Sequence, residues 1–459
     1  MDERAVLWLL DTYGGARPRV LQAVIAQALS VGARTAVVEY RYLDPDWRNE
    51  HREFYATTFR RYPSITHRLH FFAESPDPLF LDPDRPARFE GLTYLGYSVL
   101  RPVPAAPVGR TMLPPNTAKE LTCQARDRVN LFGTDLDIVG APFVAQDAQL
   151  SRCAQATTWV TAYYHHLRFG GPRVLPGDIA AAVADDLEVG RQVPSPGLTI
   201  GQMADAARSI GLPPLVYPLR HLARGESVPR VLCRYLNSGI PVTIATRSHA
   251  FVLVGYGRRR DNDDNELLHF VRQDDEIGPY RVVDWKLDEH GPWEYAVVPL
   301  PPKVYLPGEN AEAIGSTRIR DELDRTPTEA ASQLLRRLED PERPLSFRST
   351  VVLSNEFKRT LRDRHYPDDV AAAYQRMQLS RFVWVVELTD RALRDAGEPC
   401  VMAEAVIDAT DHVRDLHVLG WRIPGALWGW LPDDDAHAVR EPLDPADPTI
   451  SIAQPRDLA

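Results

Sequence analysis

The strongest constraint on this chain is a pair of segments about a hundred residues apart. Residues 248–257 read Ser-His-Ala-Phe-Val-Leu-Val-Gly-Tyr-Gly: a histidine at the head of an apolar strand that ends in a glycine turn. Residues 146–160 read Gln-Asp-Ala-Gln-Leu-Ser-Arg-Cys-Ala-Gln-Ala-Thr-Thr-Trp-Val, with Cys153 where a helix begins and amides just upstream. That helix is predicted to run to about Phe169, where Gly170 and Gly171 close it. The two segments read as halves of one site, so the fold has to bring the first turn of the helix to the first residue of the strand.

Chemistry supplies the reason to join them. A free thiol has a pKa near ~8.5, so little of it is thiolate at neutral pH. A helix N-terminus offers free N–H groups and partial positive charge, which favour the anion. An imidazolium beside the sulfur favours it further. Attack on an acyl carbon creates an oxyanion that needs donors. The Cys153 N–H can be one, and a glutamine side chain just upstream the other. A further acidic or amide residue has to hold the His249 ring in one orientation.

Over residues 141–300 the order of elements resembles the papain-like superfamily, and its bacteriocin-processing branch more than papain itself. The resemblance is carried by a glutamine before the helix Cys153-Ala-Gln-Ala-Thr-Thr-Trp-Val-Thr-Ala-Tyr-Tyr and by Gly197-Leu-Thr-Ile-Gly-Gln-Met. Asn237-Ser-Gly-Ile-Pro-Val-Thr-Ile, His249-Ala-Phe-Val-Leu-Val-Gly-Tyr and Val271-Arg-Gln-Asp-Asp275 complete it. It implies an α+β fold in which a Cys-bearing helix packs on an antiparallel sheet. Carried over, Cys153 is the nucleophile, His249 the base, Asp274 the orienter and Gln146 the oxyanion donor.

The chain departs from the family at three points. Ala154 stands where a glycine usually follows the cysteine. Gln146 lies seven residues before Cys153 (153 − 146), one farther than usual, and Gln149 four before (153 − 149), so both remain open as the donor. Asp274 lies 25 residues after His249 (274 − 249), a long interval that the polar insert 258–265 explains as a longer hairpin. Gln273 and Asp275 stay open for the orienting role.

The resemblance implies a cysteine peptidase that cleaves a peptide or isopeptide bond through a thioester, with a protein or peptide as substrate. Two other functions use the same segments. One is a deamidase or acyltransferase with the same triad; the other is an inactive papain-like binding module, which Ala154 and the glutamine spacing keep in view.

Length suggests two or three domains. The expected division is an N-terminal α/β region over 1–140, a catalytic region over 141–305, and a C-terminal α+β region over 306–459 with a loosely ordered acidic, proline-rich tail from Pro432. The flanking regions are expected to gate or select the substrate. In the N-terminal region Ala5–Leu10 reads as a buried strand, Pro18–Val31 as a helix, and Pro102–Pro115 as an extended connector. Thr199 and Gln202 form a predicted capping box. Further on, Gly308–Ser316 reads as linker, and Thr326-Pro-Thr-Glu329 as a capping box that starts a helix, with Thr326 as cap and Pro327 at the first helical position.

A formal net charge of −10 argues against nucleic acid or an anionic membrane as partner. The basic run Arg258–Arg260 is followed at once by Asp261, Asp263 and Asp264, which reads as a solvated hairpin tip. Cys123, Cys153, Cys233 and Cys400 include no CxxC pair. Adjacent His165 and His166 face different ways on a helix, and the pair Asp185-Asp186 reads as a solvated helix end. No cofactor or metal is therefore expected. The start Met-Asp-Glu-Arg lacks a signal sequence and no apolar run is long enough to span a membrane, so a reduced, cytoplasmic protein is expected. Nothing in the sequence bears on oligomeric state.

Overall fold

Proline at a first helical position has the right φ and no N–H to leave unused, and the chain from Pro18 to Ser30 is helical as its apolar spacing requires. The computed structural model describes the chain except residues 17, 77–88, 90, 117–120, 147–152, 185–197, 261–265, 341–344, 362–365, 367, 397, 412–417 and 430–459. The protein is mixed α+β with antiparallel sheets. The described residues divide into two compact units, those of 1–232 with 239–302, and those of 233–238 with 303–429.

The first unit opens with α1 (Glu3–Tyr13), α2 (Pro18–Ser30), β1 (Thr35–Tyr42) and α3 (Pro45–Glu53). Strands β2 (Thr66–Phe72), β3 (Tyr94–Leu100), β4 (Val108–Leu113), β5 (Leu121–Thr122), β6 (Ala125–Leu131) and β7 (Thr134–Phe143) follow. Next come α4 (Cys153–Phe169), α5 (Pro176–Ala184), α6 (Ile200–Ser209), β8 (Pro214–Pro218) and α7 (Val228–Asn237), whose residues from 233 on count with the second unit. The unit closes with β9 (Val242–Ala245), β10 (Ala250–Arg260), β11 (Glu266–Asp274), β12 (Gly278–Val283) and β13 (Tyr295–Pro299). One sheet has the order β1-β2-β3-β4-β7-β6; the other has β12-β11-β10-β9-β13-β8, with β5 paired to β10.

Helix α4 touches β6 and β7 of the first sheet and β9 and β10 of the second. It is accordingly buried on most sides, by Ala154, Ala156, Trp159, Val160, Tyr163 and Tyr164 among others. Its threonines satisfy their hydroxyls within the helix: Thr157 and Thr158 donate to the Ala154 carbonyl at 2.9 and 2.8 Å. The two sheets are also tied by Tyr280 of β12, whose hydroxyl accepts from the Ala141 N–H and donates to the Leu113 carbonyl, both at 2.7 Å.

Several sequence expectations change here. Ala5–Leu10 is helical, not a strand. A six-residue apolar run has no decisive period, and Asp2 decides the matter by capping α1, accepting from Ala5 N at 2.9 Å. Pro102–Pro115 is not wholly connector, because Val108–Leu113 forms β4 between β3 and β7. The N-terminal strands make an antiparallel sheet, and the expected break near residue 140 falls inside the ten-residue strand β7.

The second unit comprises α8 (Gly308–Arg325), α9 (Glu329–Arg337), β14 (Leu345–Leu353), α10 (Ser354–Thr360), α11 (Asp368–Arg376), β15 (Phe382–Asp390), α12 (Arg391–Ala396), β16 (Val401–Asp408), β17 (Val418–Ile423) and β18 (Ala426–Gly429). Its sheet runs β14-β15-β16-β17-β18, each strand antiparallel to the next in sequence. Phe357, Tyr374 and Met377 pack with Val383, Val385 and Val406 in its core. The segment read as linker, Gly308–Ser316, is the start of α8. Its small residues serve close packing: a Cβ on Gly315 would lie 2.6 Å from the Val386 Cβ, and one on Gly308 2.8 Å from the Trp384 ring. The α9 cap is Thr328, which accepts from Ala331 N at 3.2 Å, and not Thr326. The tail from Pro432 lies outside the described residues.

Candidate active site

His249 precedes β10 by one residue, and its backbone is held by Thr246. Thr246 N and Oγ1 donate to the His249 carbonyl at 2.9 and 3.0 Å, and His249 N donates back to Thr246 Oγ1 at 3.1 Å. Strand β10 pairs with β11 so that Val252 faces Gln273. One step along this ladder sets Phe251 opposite Asp274, and His249 becomes the diagonal neighbour on the same face. His249 Nε2 and Asp274 Oδ1 are 3.1 Å apart. The Glu276 N–H also donates to that oxygen, at 3.1 Å.

Cys153 is the first residue of α4, so its N–H has no partner within the helix. The Cys153 side chain is near enough to His249 to help hold its imidazolium. With Nε2 taken by Asp274, Nδ1 is the ring nitrogen left for sulfur. The cysteine is half-buried against a small apolar cluster of Ala154, Met203, Ala250, Leu198 and Ile200. Helix α6, which brings Met203, starts at the predicted capping box: Thr199 and Gln202 each bond the other's backbone, at 2.9 and 3.3 Å.

Around this core lie residues that the sequence did not single out. Arg272, two before Asp274 and on the same face, places Nε 3.2 Å from Asp274 Oδ2. Its guanidinium lies over Phe251 at 4.7 Å and pairs with Asp288 at 3.0 Å and Glu289 at 2.9 Å. The ring of His290 packs on that of His249 with centroids 4.2 Å apart, and its Nε2 is 3.6 Å from Asp274 Oδ2. The ligand atoms of His249, Asp274 and His290 all fall within 4.8 Å of one another. None of these neighbours has a local motif; the turn after β12 brings His290 in, and only the period-two relation of Arg272 to Asp274 was readable beforehand.

Burial by itself would depress the His249 pKa. The hydrogen bonds to Asp274 and Cys153 and the charges of Asp274 and Asp275 outweigh it and hold the imidazolium up, to about 11. Burial would raise Asp274, yet the bond to His249, its charge and that of Arg272 hold it below the usual carboxylate range. Asp275 has no such support. Burial foremost, together with the charges of Asp274 and Glu276, pushes it up to about 8 against the pull of His249.

The three candidate orienters thus separate. Asp274 bonds the imidazole; Asp275 Oδ1 lies farther off, 3.7 Å from Nε2. Gln273 points to the opposite face, where it accepts from Tyr280 N at 2.8 Å and donates to the Ala141 carbonyl at 3.1 Å. Gln146 is buried beside the turn after Asp274, and its Nε2 donates to Glu276 Oε1 at 2.9 Å. A cleft of about 320 Å³ adjoins it, lined by Arg19 and Val20 of α2, Ala106, Gln146, Asp275 and Glu276. Gln149 and Asp185-Asp186 lie outside the described residues. Cys123 and Cys400 are buried and Cys233 half-buried, and no disulfide joins them. Burial drives His165 down to about 3, while His166 bonds the Gly171 carbonyl at 2.7 Å.

Compared with protein-family models, with curated proteins and with solved structures, the chain gives no significant match. Among the described residues no helix is long and apolar enough to cross a membrane.

Proposed function

We propose that the chain is a cysteine-type hydrolase of the papain-like kind, acting on a peptide or isopeptide bond in a protein or peptide substrate. One observation carries this reading: Cys153, at the first position of α4, acts on the His249 imidazole, which Asp274 bonds at 3.1 Å. The helix that begins at the cysteine and the antiparallel sheet that bears the histidine and the aspartate support the same reading.

In the proposed reaction His249 carries the proton of the thiol–imidazole pair as imidazolium, and the thiolate sulfur bonds to the acyl carbon. The oxyanion is met by the Cys153 N–H and by a glutamine amide. For Gln146 to serve, it has to leave Glu276. Collapse of the adduct breaks the carbon–nitrogen bond, and His249 returns its proton to the departing amine. Water then adds to the thioester, with His249 taking its proton, and cleavage of the carbon–sulfur bond releases the acid and regenerates the thiol. Asp274 stays ionised and holds the ring throughout.

The test is labelling by an electrophilic thiol probe together with mass analysis of products from a cell extract. Labelling lost in Cys153→Ala and kept in Cys233→Ala, with new peptide termini, supports the reading. Products changed only by loss of ammonia, or by joined chains, point to deamidation or acyl transfer by the same residues. No Cys153-dependent labelling and no change in products would sink it.

A further inference from the structure

We propose that His249, Asp274 and His290 form a binding site for a divalent transition-metal cation of the zinc type, with the Asp275 carboxylate beside it, and that the cation, once bound, withholds His249 from the thiol. The inhibitory consequence rests on the cysteine-hydrolase reading; the binding itself does not.

The geometry is the first ground. Zinc takes imidazole nitrogen and carboxylate oxygen at about 2.0–2.2 Å in a tetrahedron, which sets its ligand atoms about 3.4 Å apart. Here His249 Nε2 is 3.1 Å from Asp274 Oδ1, His290 Nε2 is 3.6 Å from Asp274 Oδ2, and the ligand atoms of these three residues all lie within 4.8 Å of one another. The second ground is unused bonding capacity. Among the described residues Asp275 Oδ1 and Oδ2 and His290 Nε2 have no hydrogen-bond partner, while Asp274 Oδ2 has the Arg272 ion pair. The Asp275 side chain is only 4 % exposed, and its Oδ1 is directed at His249. Buried polar atoms without partners call for a ligand that supplies the missing bond. The third ground is charge. Arg272 faces Asp274, Asp288 and Glu289 together, so the charge facing Asp275 is the His249 imidazolium, whose Nε2 proton a bound metal would replace. The site is reachable, because the His290 side chain is 17 % exposed.

Zinc titration of the metal-free full-length protein against a chromophoric chelator tests this, with circular dichroism to verify folding. The expected result is one ion per chain. Binding should weaken at least about tenfold in His290→Ala and in Asp275→Asn, and should change by less than about threefold in Cys153→Ala, since sulfur is not a ligand. His290 is partly exposed, so its variant keeps the test decisive if Asp275→Asn fails to fold. No competition with the chelator, or binding lost in Cys153→Ala and kept in His290→Ala, would overturn the proposal. Where turnover is measurable, zinc should inhibit the wild type more strongly than His290→Ala. A chain that binds zinc as described but turns nothing over would refute the hydrolase reading and leave the metal site standing.

Discussion

His249 Nε2 and Asp274 Oδ1 meet at 3.1 Å across 25 residues of chain. The β10–β11 ladder brings them together as diagonal neighbours, so the length of the hairpin tip between them does not matter to their meeting. Asp274→Ala should lower turnover about 10²–10⁴-fold, the range for losing an orienting or proton-transferring group. It should also move the pH dependence of Cys153 alkylation, because the charge that raises His249 is gone. An unchanged alkylation profile in the variant would separate Asp274 from the thiol–imidazole pair.

Asp275 gives a stability prediction with a definite sign. Its folded pKa is raised from 3.8 to about 8, so the folded chain holds a proton there that the unfolded chain loses. The contribution is fully present below pH ~4 and is lost as pH rises through about 8. Asp275→Asn removes that loss. In metal-free protein its melting temperature should exceed the wild type at pH 8.5 and match it near pH 4. Thermal melts at the two pH values provide the check.

Arg272 is 3 % exposed in its side chain and faces Asp274, Asp288 and Glu289. Replacing it by Met leaves buried carboxylates uncompensated, at about 3–5 kcal/mol. Adding Asp288→Asn should recover part of the loss. Denaturant melts of both single variants and the double would reveal the coupling, and strictly additive effects would contradict the geometry.

Gly278 has φ +117, and a Cβ there would lie 2.4 Å from the Cβ of Ala23 on α2. Gly278→Ala should cost about 1–3 kcal/mol from overpacking and backbone strain together. In Gly278→Ala with Ala23→Gly the steric part should be relieved and the backbone part should persist. Equal stability of the two variants would show that α2 does not press on β12.

Thr199 caps α6, which carries Met203 to the apolar cluster around Cys153. Thr199→Ala should destabilise by about 1 kcal/mol. A chemical denaturation curve measures it, and a zero effect would mean that α6 is held by packing alone.

Elements with a local chemical cause were legible in the sequence. Pro18 opening α2, the capping box of Thr199 and Gln202, the start of α4 at Cys153 and the apolar head of β10 each follow from residues a few positions apart. Cys153, His249 and Asp274 were named from such segments, and the structure brings these three together. Where one segment's shape depends on another, sequence failed. Ala5–Leu10 has no decisive period of its own, and Gly308–Ser316 looks like linker until Trp384 and Val386 show why its glycines are needed. Choosing Asp274 over Gln273 and Asp275 required the register of β10 on β11, since alternate residues of a strand face opposite ways. Arg272 and His290 reach the site only through strand pairing and a turn after β12. Local propensity and capping act over one helical turn, and the amino-acid order alone determines them; contacts between distant segments depend on how sheets and helices pack, and only the folded chain decides them.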